Sequence, residues 1–216
     1  MTQAWQKRIL AAVFVLSAGM SSLAAEDRDP GITHFRSHAL AEIAGAYGPD
    51  QGLKTMAVDV RLVLLQNPLS PADVTEFGNL ARGLPEAPPA NQALILDVLT
   101  QMLKAARDPQ SANIPGPERE AALGAAIRLS AEGATDSRAA ALRYLRETGD
   151  GSAIGPAIAA LQGRDISIRL EAAFLLHDHA SGPEAARIRA AITRADPAGN
   201  VDLQRLFTSV LQSVSP

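Results

Sequence analysis

Apolar residues recur every three to four positions along most of the chain, and Gly and Pro interrupt this pattern repeatedly. A helix with one buried face shows this period, whereas a half-buried strand alternates apolar and polar residues. The pattern therefore predicts an all-helical protein without strands. The predicted helices lie near 33–47, 51–66, 71–83, 89–106, 117–132, 136–148, 152–162, 166–179, 183–194 and 199–213.

Several predicted helices have recognisable start and stop signals. Residues 70–73 (SPAD) offer an N-cap serine, a proline at the first helical position and an acid in the first turn. Residues 181–184 (SGPE) match the capping box, in which a glutamate reaches back to the cap amide. Gly149 and Gly163 stand where a left-handed residue would end a helix. The least regular stretch, 108–117, predicts a loop.

Residues 1–25 have the three parts of a secretory signal peptide. Residues 7–8 (KR) supply positive charge, residues 9–20 form an apolar run, and small residues follow. We expect cleavage after Ala24 or Ala25, which predicts a periplasmic or secreted protein that is not membrane-embedded once cleaved. The alternative is an uncleaved membrane anchor, for which the apolar run is short.

The C-terminal half repeats with a period of 31 residues. The repeated positions are Arg138 with Arg169, Ala141 with Ala172, and Leu145 with Leu176. A single helical hairpin cannot bury its own apolar stripe, so such units must stack on their neighbours. A weaker third register, which pairs Ala172 with Leu203 and Leu176 with Phe207, makes the last helix a degenerate cap.

Two segments of this region resemble a known family. Residues 137–145 (SRAAALRYL) and 165–173 (DISIRLEAA) are similar to the short bacterial HEAT-like repeat, over about residues 135–195. Ala-rich amphipathic helices of other kinds share part of the pattern. The resemblance implies a right-handed α-solenoid of stacked helical hairpins, HEAT/armadillo-like, that acts through a concave surface on another macromolecule.

The expected organisation has three parts. Residues 1–25 are the signal peptide, residues 26–132 form helical hairpins, and residues 133–216 form HEAT-like repeats with a C-terminal capping helix. The middle part does not keep the 31-residue register, so it contains either divergent repeats or a separate helical cap.

Composition narrows the possible functions. The chain of 216 residues is 47% hydrophobic but only 4% aromatic, which suits closely packed helices with small side chains. Its net charge is −3, and removing Lys7 and Arg8 with the leader leaves 18 basic against 23 acidic residues, or −5. This balance gives no reason to expect nucleic acid as a partner. Cysteine is absent, which excludes disulfides and thiolate chemistry. No cofactor is expected.

Two histidine pairs are the candidate metal ligands. His34 and His38 are four residues apart on a predicted helix and can share one face. Phe35 stands where a zinc-protease motif requires glutamate, so that interpretation fails. His177 and His179 lie at a predicted helix C-terminus, where positive charge is favourable. We favour a structural role for all four, and keep a small metal-binding protein or enzyme as the alternative function.

Arginines concentrate in the repeat half. Arg138 and Arg169 occupy the recurrent position, where the resemblance implies contacts that tie one hairpin to the next. Second helices of stacked hairpins commonly line the concave face, and here these are 152–162 and 183–194. Arg187 and Arg194 lie on one side of the latter, which predicts a binding surface for carboxylates of a protein partner. The expected function is a non-enzymatic protein–protein interaction module or scaffold.

Overall fold

The computed structural model describes residues 68–213, and the account below concerns that part of the chain. The predicted signal peptide and the predicted helices at 33–47 and 51–66 lie outside the described residues. His34 and His38 lie outside them as well.

Within residues 68–213 the protein is all α-helical, with eight α-helices and no strand. The sequence-based prediction of an all-α protein is confirmed over this range. The α-helices are α1 Pro71–Gly83, α2 Pro89–Ala105, α3 Gly116–Glu132, α4 Thr135–Thr148, α5 Ile154–Ala160, α6 Ile166–Asp178, α7 Ala185–Arg194 and α8 Val201–Ser213. Two short 3-10 helices, Leu84–Glu86 and Gly151–Ala153, precede α2 and α5.

Two predicted helix boundaries are confirmed in atomic detail. The Ser70 hydroxyl accepts a hydrogen bond from the backbone N–H of Asp73, and the Asp73 carboxylate accepts one from the Ser70 N–H at 2.8 Å. This reciprocal pair satisfies amide groups that the first turn of a helix leaves free. Gly149 ends α4 with φ of 66°, a left-handed conformation that glycine adopts without a steric penalty.

Two other boundary predictions are wrong. Residues 181–184 do not form a capping box, because α7 begins only at Ala185 and its N-cap, Glu184, makes no side-chain cap hydrogen bond. Gly163 is not left-handed, since the positive-φ glycines of the described chain are Gly149 and Gly199. The N–H of Gly163 instead bonds the Ala160 carbonyl at 3.1 Å, in a turn that follows a helix of only seven residues.

The eight helices pack in two rows. The even row consists of α2, α4, α6 and α8, each in contact with the next. The odd row consists of α1, α3, α5 and α7, which also contact one another in sequence. Contacts between the rows join α1 to α2, α3 to α4, α5 to α6 and α7 to α8.

These contacts correct the expected hairpins. The repeat register paired the helices at 136–148 and 152–162, which are α4 and α5. The more extensive contacts instead join α4 to α3 and α5 to α6. The link between α3 and α4 spans only residues 133–134, so the two helices are held together by their short connection.

The 31-residue period marks equivalent positions in the even row. Leu145 of α4 and Leu176 of α6 are both fully buried. Leu203 and Phe207, the corresponding residues of the weaker third register, are buried on α8. These large apolar residues therefore belong to the core, and their burial stabilises the fold.

The recurrent arginines bind backbone carbonyl groups. Arg138 of α4 donates from Nε to the Ser130 carbonyl at 3.1 Å, and Arg169 of α6 donates to the Asp196 carbonyl. Arg169 is 5% exposed, so its guanidinium fixes the segment between α7 and α8 from inside the protein. Asp165 caps α6 by accepting hydrogen bonds from the N–H groups of Ser167 and Ile168.

Among the described residues, no helix combines the length and the apolar character that crossing a membrane requires.

Candidate functional site

Arg143 of α4 joins its helix to α2 and α6 through one partly buried carboxylate on each. Its guanidinium lies 3.1 Å from Asp97 of α2 and 3.1 Å from Glu171 of α6. Both contacts meet hydrogen-bond geometry. An arginine can serve two carboxylates at once because its planar fork directs several N–H groups outward.

The three charges do not have equal surroundings. Burial raises the pKa of the Asp97 carboxyl, and the attraction of Arg143 only partly opposes this change. Burial lowers the pKa of the Arg143 guanidinium, but Asp97 and Glu171 together outweigh it, so the net direction is upward. Arg143 therefore stays charged, and ionised Asp97 is held there by its arginine partner.

A second arginine lies one turn further along α4. Arg146 Nε is 3.4 Å from the Asp178 carboxylate of α6, and its guanidinium carbon lies 5.5 Å from the centre of the Phe174 ring. The second contact is a cation–π arrangement. Phe174 is 44% exposed, and it and Val201 are the large hydrophobic residues that the described chain leaves exposed.

On the other side of Phe174, α6 is joined to α8. The Nε2 atom of His177 lies 3.1 Å from the Ser209 hydroxyl. Its Nδ1 atom lies 3.5 Å from Asp178. From α4 to α8, the side chains in contact therefore follow the order Arg146, Asp178, His177 and Ser209.

We call this outward surface of the even row the polar face. Near the C-terminal ends of α2 and α4 it is extended by Glu147, which pairs with Arg107 at 2.7 Å and Lys104 at 3.6 Å. Opposite charges alternate over the surface, with one aromatic ring among them. Its defining residues are Asp97, Lys104, Arg107, Arg143, Arg146, Glu147, Glu171, Phe174, His177, Asp178 and Ser209.

The predicted binding arginines lie elsewhere, on α7 of the odd row. Arg187 is paired with Glu184 at 3.3 Å, just before the start of its own helix. The Nε atom of Arg194 donates to the Ala190 carbonyl at 2.9 Å. Both side chains lie on exposed residues, and these contacts are local to α7.

The predicted C-terminal histidine pair does not converge. His177 points to Ser209 and Asp178, while His179 lies near Asp150. Hydrogen bonds from Ser152 are the main reason that the pKa of Asp150 is lowered, and the charge of His179 adds a smaller contribution. Within residues 68–213 no group of three His, Cys, Asp or Glu side chains is placed to hold a metal ion.

Sequence reasoning missed the polar face. Asp97 is 46 residues from Arg143, and no local spacing connects them. Phe174 sits in an almost continuous apolar run (AAFLL), in which an outward-facing ring cannot be told from a buried one by periodicity. The repeat does not mark Ser209 either, because the residue one 31-residue period after His177 is Thr208.

Comparison with known proteins returned no match to a protein-family model, to a curated protein or to a solved structure.

Proposed function

We propose that this chain is an exported, non-enzymatic protein–protein interaction module built as an α-solenoid, and that its polar face receives the partner. The single observation that carries the proposal is Phe174, an exposed ring held under Arg146 in the middle of a surface whose charges are already paired. Aromatic residues and arginine are enriched where protein interfaces derive most of their affinity.

The packing of the rows supports a curved arrangement. Contacts between successive helices are more extensive in the even row than in the odd row, where α5 and α7 barely touch. When the helices of one row pack more closely than those of the other, the stack is expected to curve with the closely packed row on its concave side. In this proposal the polar face is the concave side, whereas the sequence pattern favoured the helices at 152–162 and 183–194 for that position.

Paired charges make the polar face a suitable docking surface. An isolated charge loses hydration when a partner covers it, and this loss opposes binding. Arg143 and Arg146 already contact three carboxylates, so a partner need not supply a counter-charge for each one. The partner is then a protein segment that covers Phe174 with an apolar or aromatic side chain and bonds to the flanking polar groups.

Export rests on the order of charge, apolar run and small residues at 1–25. Protein isolated from its native host should begin at Ala25 or Glu26 and be released by osmotic shock. An intact Met1 on protein recovered with membranes would contradict export and leave the docking proposal standing.

The docking proposal is tested by capture from an envelope extract with the mature chain, its Phe174→Ala variant and a matched control. Val201→Ala is the control because Val201 is 56% exposed, slightly more than Phe174. Proteins that bind the wild type and the control should be depleted on Phe174→Ala by about tenfold, corresponding to a contact of about 1.4 kcal/mol.

The rival surface is tested in the same experiment. Replacing Arg187 and Arg194 together with Ala removes the charge that the sequence assigned to binding. If this double variant loses the captured proteins while Phe174→Ala retains them, docking takes place on α7 and the polar face is not the binding surface.

A further inference from the structure

The Ser209 hydroxyl contacts a histidine that itself faces a carboxylate. Its oxygen lies 3.1 Å from His177 Nε2, and His177 Nδ1 lies 3.5 Å from Asp178. This is the connectivity in which a hydroxyl is activated for attack on a carbonyl carbon, with a base beside the nucleophile and a third group orienting the base. We propose that Ser209 is an acylation site, which takes an acyl group from an activated donor.

The chemistry needs the imidazole tautomer that carries its proton on Nδ1. With that proton facing the Asp178 carboxylate 3.5 Å away, Nε2 is free to accept the Ser209 proton. Arg146 faces the second oxygen of Asp178 at 3.4 Å, which keeps the carboxylate turned towards α6. Asp178 and Arg146 are positioning residues here, and His177 is the base.

The reaction balances without a cofactor. The Ser209 oxygen forms a bond to the acyl carbon while its proton moves to His177 Nε2. The bond from the acyl carbon to the leaving group then breaks, and the imidazolium returns the proton to the departing phenolate or thiolate. The products are acyl-Ser209 and a phenol or thiol.

The position of Ser209 limits the class of donor. It lies inside α8, where its backbone N–H belongs to the helix and is not directed at a substrate. The helix backbone at Ser209 therefore does not stabilise the negative charge that develops on the acyl oxygen. We expect aryl esters or thioesters, whose leaving groups are stable as anions, to react, and ordinary alkyl esters and amides not to.

Neighbouring Phe174 favours donors with an apolar acyl or aryl group. It precedes His177 by three residues, and therefore lies one turn away on the same side of α6. This acylation does not depend on the protein-docking proposal, because it requires neither a curved arrangement nor a partner.

The test is site-resolved acetylation of the full mature chain by p-nitrophenyl acetate, followed by mass spectrometry of peptides. Ser213 is the internal control, since it lies one turn after Ser209 on the same helix and its hydroxyl bonds the Ser209 carbonyl. Ser209 should be acetylated roughly 100-fold faster than Ser213, the lower range of general-base assistance. Equal rates at the two serines would overturn the proposal.

Two variants separate activation from a structural tie between α6 and α8. His177→Gln keeps a hydrogen-bonding group near Ser209 but removes the base, so it should reduce the rate at Ser209 to that of Ser213. Asp178→Asn should give an intermediate rate, with circular dichroism checking the fold of both variants. If His177→Gln is folded and reacts as the wild type does, the proposal fails; if it is unfolded, an unchanged rate in Asp178→Asn overturns the proposal and a reduced rate supports it.

Discussion

The two rows of helices are held together by different means. In the even row, side chains reach from one helix to the next, as in the contacts of Arg143 with α2 and α6 and of His177 with α8. In the odd row the hydrogen bonds and ion pairs of Arg82, Arg187 and Arg194 are made to groups in or next to their own helices. The helices of the odd row are also shorter towards the C-terminus, where α5 has seven residues and α7 has ten.

This difference separates two roles of surface charge. Charges bonded across helices define the relative position of those helices and keep a surface in one arrangement. Charges bonded within a helix leave the neighbouring helix free to shift, and they contribute little to stability. An arginine-rich helix such as α7 is thus a weaker indication of a binding site than a surface on which few charges are left unpaired.

The largest expected effect is on the shared core. Leu176→Ala should lower the free energy of unfolding by about 2–5 kcal/mol, because Leu176 is fully buried on α6 between its neighbours. Ile192→Ala, the matched change on α7 of the odd row, should cost less within the same range, since fewer helices surround it. Urea unfolding measures both, and a loss below about 0.5 kcal/mol for Leu176→Ala would contradict the core assignment.

Removing the central arginine of the polar face should have the next largest effect. Arg143→Met leaves Asp97 and Glu171 without their shared partner, and we expect a loss of about 1–2 kcal/mol. This range is below that of a fully buried pair, because 39% of the arginine side chain is exposed. Arg187→Met on α7 is the control and should change stability by less than about 0.5 kcal/mol. Equal losses in thermal unfolding would remove the distinction between the rows.

Asp165 tests the helix cap that precedes α6. Asp165→Ala should cost about 1 kcal/mol, whereas Asp165→Asn should preserve the cap. Hydrogen bonds from Ser167 lower the pKa of Asp165 in the folded state. The stability that this carboxylate contributes is therefore present above the pKa of an unfolded aspartate and is lost as the pH falls through its folded pKa. Stability curves against pH that coincide for wild type and Asp165→Ala would contradict this assignment.

Asp97 should show the opposite dependence on pH. Because burial raises the folded pKa of Asp97, the folded state binds a proton more readily than the unfolded state there. The stability that proton binding at Asp97 contributes is fully present below the pKa of an unfolded aspartate. It is lost as the pH rises through the folded pKa of Asp97. At pH about 7, Asp97→Asn should be at least as stable as the wild type, and the difference should shrink on acidification. A variant that loses stability at neutral pH would show that Arg143 outweighs burial.

The smallest expected effect concerns the arginines of α7. Replacing Arg187 and Arg194 together with Ala should leave circular dichroism and the melting temperature nearly unchanged, with a loss of less than about 0.5 kcal/mol. A larger loss would mean that the odd row, too, depends on contacts between helices.

The part of this fold that could be predicted from sequence is the part determined by local chemistry. Gly149 ends α4 as expected, since a left-handed residue favours glycine. Leu145 and Leu176 are equivalent and buried, because a repeated apolar stripe must have a repeated neighbour. The capping box predicted at 181–184 is wrong, because the same residues can form a turn before a helix as readily as a cap.

What could not be predicted depends on contacts between distant residues. The choice of α3 rather than α5 as the main partner of α4 follows from how the rows pack, and either neighbour satisfies the same apolar pattern. The pairing of Asp97 with Arg143 likewise appears only once α2 lies beside α4. The arginines of α7 are visible in the local sequence, whereas the polar face depends on contacts between helices that no local pattern indicates.

The bridging position of Arg143 has a consequence for how the protein opens. Because Arg143 of α4 bonds to both of its neighbours, we expect α2, α4 and α6 to unfold as one cooperative unit. Amide protons along these three helices should then exchange with solvent at similar slow rates. Those of α7 should exchange sooner and independently, so that within residues 68–213 we expect the C-terminal end of the odd row to be where water enters first.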